Sequence, residues 1–108
     1  MNKGEIWLVE FPKMNGHEQT GTRPVLILAD TEANISIVVP FTTNVQALRF
    51  PHTITIKPST HNGLKSESVA LVFHVRAIDK KRLKNKIGMI EDSIMKSIDM
   101  SLKDMLKI

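Results

Sequence analysis

Cysteine and tyrosine are both absent from this chain of 108 residues, and the aromatic set comes down to one tryptophan and four phenylalanines. Without cysteine there can be no disulfide, thiolate nucleophile or thiolate-bound metal, which suits a reducing compartment. The N-terminus shows no apolar signal segment, and no apolar run approaches the length needed to span a membrane. We therefore expect a protein that works in the cytoplasm. Two phosphate-binding patterns are missing as well, the Gly-rich Walker loop and the dinucleotide fingerprint. No Ser/His/Asp order is legible. His52 and His61 show no ligand spacing with other histidines or acids, so no zinc site is expected. So few aromatics leave little for stacking on nucleobases, and most of these rings are expected in the core.

Positive charge is in surplus: Lys and Arg number 15 against 11 Asp and Glu, a net +4. That balance favours an anionic partner, either nucleic acid or an acidic protein segment. Part of the surplus is Lys80, Lys81, Arg82, Lys84 and Lys86, which reads most simply as a solvated turn and an edge strand. The length fits a single domain over 1–108.

The apolar pattern predicts strands over Gly4–Phe11, Pro24–Leu28, Ile35–Phe41, Thr53–Lys57, Ser68–Val75 and Lys86–Ile90. Pro24–Leu28 is apolar on both phases and so should be central. Residues 12–22 and 58–65 read as loops, and Arg76–Asp79 as an exit from the long strand. Asp79 suits the cap of a short turn over Lys80–Leu83. Ile94, Ile98, Leu102, Met105 and Leu106 recur at helical spacing. They predict an amphipathic helix from Asp92 to Lys107, capped by Asp92 or Ser93, with this apolar face on the core. The outcome is a small, strongly curved antiparallel sheet or barrel closed by one C-terminal helix.

The densest chemistry lies in Gly16-His17-Glu18-Gln19-Thr20-Gly21-Thr22-Arg23-Pro24. Arg23 stands where this polar loop meets a buried strand, which fixes its backbone and leaves its head free. The planar guanidinium fork suits a phosphate and the charge that builds up in phosphoryl transfer. The alternative is a salt bridge to Glu18. His17 and Glu18 are candidates for acid and base, or else an exposed loop pair. Thr42 and Thr43 close a buried strand after Pro40-Phe41, where a hydroxyl can face a ligand or simply start a turn. His74 ends the longest strand, two residues before Arg76. Trp7 reads as a core or dimer-contact residue.

Taken in order, these segments resemble the MazF/PemK toxins, close to the Kid/PemK branch. The matching stretches are Gly4–Val9, Gly16–Gln19, Gly21–Ile27, Val38-Val39-Pro40-Phe41-Thr42-Thr43, Gly63-Leu64, Ser68–Leu71, Val75–Leu83 and Ile87-Gly88, followed by the helix. The resemblance covers nearly the whole chain. It implies a mainly β fold with a C-terminal helix, the SH3-like, partly open barrel of the CcdB/MazF/PemK-type plasmid maintenance toxins, working as a homodimer. It also implies the toxin of a type II toxin–antitoxin pair. Such a toxin is an endoribonuclease that cuts single-stranded RNA, chiefly mRNA, at short sequences with no metal or other cofactor. Its antitoxin blocks the site with a C-terminal segment that folds on binding.

On that resemblance Arg23 and Thr42 are catalytic, with Glu18 or His17 as base. Gln19 and Thr43 position the RNA. Asn44, Gln46, Arg49, His74 and Arg76 are candidate RNA contacts, and base readout is expected to rest on polar loop groups. One departure stands out. Leu71 and Phe73 occupy the positions of an Arg/Asp pair assigned to catalysis in the Kid branch, and His74 stands where the family usually has Gln. Two other readings compete. One is a CcdB-type gyrase poison, disfavoured by a C-terminus, Lys107-Ile108, that offers no aromatic wedge. The other is a degenerate barrel that only binds.

Overall fold

The computed structural model describes residues 1–10 and 22–108. Seven strands run in the order β1 (Glu5–Glu10), β2 (Thr22–Asp30), β3 (Ile35–Thr42), β4 (Thr53–Ile56), β5 (Ser68–Leu71), β6 (Arg76–Asp79) and β7 (Leu83–Met89), followed by the helix α1 (Asp92–Leu106). Across the sheet the order is β4-β5-β3-β2-β1-β7, with β6 also on β3, and all the pairings are antiparallel. β4 and β7 form its two ends, so among the described residues the sheet does not close.

β2 and β3 are central because both of their faces are apolar. Leu26 and Val39 enter one core with Ile6, Phe41, Ile56, Val72 and Ile98, against which α1 packs. Val25, Ile27 and Val38 enter a second with Val9, Ile78 and Leu83. Strand alternation splits consecutive residues between these two cores, which explains the unbroken apolar runs in the sequence. Trp7 is half-buried against the second core, and its indole N–H donates to Glu5 Oε1 at 2.9 Å.

Several sequence expectations need correction. Ser68–Val75 is not one strand. β5 stops at Leu71, Val72–His74 make a 3-10 turn, and Arg76–Asp79 form a strand rather than an exit. β5 pairs with Phe41 and Thr42, and β6 with Ile35–Val38. The break falls opposite Val39 and Pro40, and proline has no N–H to give to a ladder. β7 begins at Leu83, earlier than expected.

The residue flanking α1 is Glu91 rather than Asp92 or Ser93, and no side chain caps the helix. Ile98 is buried, while Ile94, Leu102 and Met105 pack against the core. Leu106, the last residue of the helix, does not, and is 53% exposed. The cap expected at Asp79 is present, its side chain accepting from Lys81 N.

The basic segment is partly neutralised. Lys80 pairs with Asp30 and donates to Thr31 O, and Lys86 lies 3.5 Å from Glu5. Glu5 is buried, and its carboxyl is held below the usual carboxylate range, chiefly by the Trp7 hydrogen bond and further by Lys86, against the opposing effect of burial. A lowered carboxyl stabilises the fold above its unfolded pKa, and that contribution is lost as pH falls through the folded value. Glu5→Gln should therefore weaken the acid dependence of stability as pH falls below the ordinary glutamate value of about 4.5. Denaturant titrations across that range check it, and an unchanged slope of stability against pH would contradict it.

Candidate active site

The order of the strands brings the ends of β2 and β3 together. Thr22 and Arg23 open β2, where they pair with Glu10 and Val9 of β1. Phe41 and Thr42 close β3 and pair with Ala70 and Val69 of β5. Between these ends lies a cleft of about 320 Å³ lined by Thr22, Arg23, Pro24, Phe41, Thr42, Thr43, Asn44 and Ser68. Phe41 is buried and belongs to the core beneath. Arg23 is the one cation in this lining, and no acid or histidine belongs to it among the described residues.

Local hydrogen bonds fix the rim. Thr42 Oγ1 accepts from the Asn44 backbone N–H at 3.2 Å. A hydroxyl has two lone pairs and one proton, so the Thr42 O–H remains able to donate to an anion. Asn44 Oδ1 accepts from Gln46 N at 3.0 Å and caps the 3-10 helix Val45–Arg49, which leaves its amide N–H groups for other work. Ser68 is buried, and its hydroxyl donates to Ser66 O. The arrangement suits a tetrahedral anion, with a guanidinium fork on one wall and hydroxyl and amide donors on the other.

The structure thus gathers Arg23, Thr42, Thr43 and Asn44 at one cleft, although Arg23 and Thr42 are far apart in sequence. Gln46 and Arg49 lie outside its lining, on the exposed 3-10 helix that leaves Asn44. His74 is exposed on the turn after β5, and Arg76 is exposed at the start of β6, opposite Val38. His17, Glu18 and Gln19 lie outside the described residues. Among the described residues, no three His, Asp or Glu side chains gather as a metal would require.

The sequence reading missed Thr22, Pro24, Phe41 and Ser68 as parts of the lining. Ser68 carried no signal, since only the β3–β5 pairing brings it there. The expectation that most of the aromatic rings are core holds at Phe41 and, in part, at Trp7, fails at Phe50 and Phe73, and at Phe11 lies outside the described residues. Phe41 is buried, whereas Phe50 and Phe73 are 44% and 38% exposed. Their rings lie 5.6 Å apart, His74 stacks on Phe73 at 5.4 Å, and the Arg49 guanidinium sits 5.0 Å from the Phe50 ring centre. The sequence held one hint, since Phe50 sits between Arg49 and Pro51 in a polar connection rather than in an apolar run.

Fold and cleft together define a class: an open antiparallel sheet with one C-terminal helix and a polar cleft holding an arginine where two central strands end. Comparison with known proteins gives that class its family. Residues 2–106 match the model of the PemK-like, MazF-like toxins of type II toxin–antitoxin systems, and the chain belongs to that family. It is 30% identical over 107 residues to Endoribonuclease EndoA of Bacillus subtilis, a match covering 95% of this chain and 91% of the relative. Among solved structures it resembles the MazF of a MazE–MazF crystal structure from Deinococcus radiodurans, with a TM-score of 0.77 at 21% identity, covering 100% of this chain and 96% of the other. It also resembles a mycobacterial endoribonuclease solved with its cognate antitoxin, with a TM-score of 0.71 at 18% identity, covering 98% and 92%.

Proposed function

We propose that this chain is the toxin of a type II toxin–antitoxin pair and acts as a metal-independent endoribonuclease on single-stranded RNA, chiefly mRNA. The observation that carries the proposal is the cleft joining Arg23 to Thr42 in a chain of this family. The relative from Bacillus subtilis is named an endoribonuclease, which supports the reaction class. The Deinococcus and mycobacterial structures hold toxin and antitoxin together, which supports a cognate antitoxin as the protein partner. We further propose a homodimer acting in the cytoplasm. Among the described residues no helix is long and apolar enough to cross a membrane.

Cleavage without metal uses the substrate's own 2′-oxygen. This oxygen attacks the adjacent phosphorus and its proton passes to a base. The bond from phosphorus to the 5′-oxygen breaks, and the departing oxygen takes up a proton. The products are a 2′,3′-cyclic phosphate and a 5′-hydroxyl. In this proposal the Arg23 guanidinium meets the charge that grows on the phosphorane oxygens, and the Thr42 hydroxyl donates to one of them. The base is His17 or Glu18. Both belong to the segment whose ends, Glu10 and Thr22, pair with each other at the cleft's edge.

The test is purified, antitoxin-free protein on long single-stranded RNA in EDTA. Cuts at a short repeated sequence with 5′-hydroxyl ends are expected. Intact RNA in the presence of folded protein would overturn the proposal. Thr42→Val keeps the shape and removes the hydroxyl. Since a hydrogen bond to a charged group is worth about 1.5–3 kcal/mol, kcat/KM should fall roughly ten- to a hundredfold.

A further inference from the structure

We propose that Phe50 and Phe73, flanked by Arg49 and His74, form a stacking platform for a base of the single-stranded RNA next to the phosphate held at Arg23. This assignment rests on the endoribonuclease reading above and supplies the base contact that reading leaves open.

The first observation is exposure. These two rings are open to solvent in a chain with only five aromatic side chains. They touch each other at 5.6 Å and an interplanar angle of 50°, so each limits the other's rotation. The second is fixation from below. Phe73 N–H donates to His52 O, Leu71 pairs with Thr53 at the end of the β4–β5 ladder, and Val72 beside it is in the core. The rings therefore stand on well-anchored backbone.

The third is chemistry. Arg49 lies over Phe50 and His74 over Phe73. Charged groups are depleted in the core of protein–protein interfaces. Aromatic faces beside an arginine are instead the usual composition of a single-strand groove, where bases stack and phosphates meet charge. The fourth is position. The 3-10 helix Val45–Arg49 is capped by Asn44, on the cleft rim. At about 2 Å of rise per residue, its five residues place Arg49 about 10 Å along from Asn44. A strand whose phosphate sits at Arg23 and Thr42 can thus present a neighbouring base to these rings.

The phenylalanine at position 73 then has a purpose. A flat apolar ring there holds the substrate rather than moving a proton. The same 3-10 segment also exposes Val45 and Leu48, so a second copy of the chain covering the rings is the rival outcome.

The test uses short single-stranded RNAs carrying 2-aminopurine at successive positions, bound to Arg23→Ala protein so that they stay uncut. Cleavage of long RNA is measured in parallel with the Arg23 protein. One 2-aminopurine position should be quenched on binding, and Phe50→Leu or Phe73→Leu should relieve the quench. Either change should also lower kcat/KM about five- to a hundredfold, mostly through KM, while Phe73→Tyr keeps both signals. Sedimentation velocity of each leucine variant reports the oligomer. Leucine variants that keep quench and rate overturn the platform, and so do variants that change oligomeric state, because the rings then face a second copy. Quenching that depends on Phe50 and Phe73 in a wild type that cuts nothing would leave the platform standing and overturn the nuclease reading instead.

Discussion

Arg23→Ala is expected to lower the rate of RNA cleavage about a hundred- to a thousandfold while the protein stays folded. That is the usual loss when one preorganised donor to a developing oxyanion is removed. Two features make the prediction sharp here. Arg23 is the one cation in the described cleft lining, so no neighbour among those residues takes over its charge. Its backbone lies in the β1–β2 ladder opposite Val9, so the strand pairing survives loss of the side chain. The loss should fall on kcat more than on KM, since the charge that Arg23 meets is largest in the transition state. Arg23→Lys should recover only part of the rate, because an ammonium gives a point charge without the planar fork. An Arg23→Ala protein that cuts within a fewfold of wild type would remove Arg23 from the mechanism.

The second large effect concerns stability. Gly63→Ala should lower the melting temperature by about 10 °C or more. Gly63 has φ +72°, and a Cβ there would lie 2.0 Å from the Ile87 carbonyl oxygen. The left-handed conformation alone costs an L-residue roughly 1–2 kcal/mol. The clash is with backbone of β7, which cannot swing aside as a flexible side chain does. About 1 kcal/mol moves the melting point of a domain this size by some 4–8 °C. The surroundings of Gly63 are closely tied. Asn62 is fully buried, its Oδ1 accepting from Ser59 N and Leu64 N and its Nδ2 donating to Lys57 O and Glu91 Oε1. His61 O takes the Met89 N–H.

Glu91 completes this knot. Burial opposes its charge, but the hydrogen bonds from Ser59, its own backbone and Asn62 outweigh that and hold its carboxyl below the usual range. Thermal melts check the Gly63→Ala prediction. A loss under about 3 °C would mean that the segment relaxes and the close approach is not needed.

The knot at Asn62 also shows why some of the fold was hidden in the sequence. Pro58–Lys65 reads correctly as a loop from its Pro, Ser, Thr, Asn and Gly content. Nothing local says that Asn62 turns inward or that Glu91 leaves the helix end to bind it. The bond to Glu91 exists only because the chain returns through β7, whose Met89 N–H bonds His61 O, to the loop that holds Asn62. The same holds for the break after Leu71. The run from Ser68 to Val75 has strand propensity throughout, and only pairing along one edge of β3, interrupted near Pro40, divides it.

The sequence by itself determined which segments are buried and which polar residues stand at the ends of the central strands. Unbroken apolar runs required β2 and β3 to be covered on both faces. A 3.6-residue period required the C-terminal helix, and the order of motifs around Arg23 and Thr42 carried the family resemblance. These are local properties, set by side-chain periodicity and residue type. Tertiary structure decided what lies beside what. Antiparallel register put Thr42 and Ser68 on the same cleft as Arg23, and the packing of α1 buried Ile98 while leaving Leu106 exposed. The β4–β5 ladder and the turn after it stood Phe73 against Phe50 in the open. Pairings between residues distant in the chain follow from the summed burial of both cores, and no single segment encodes that sum.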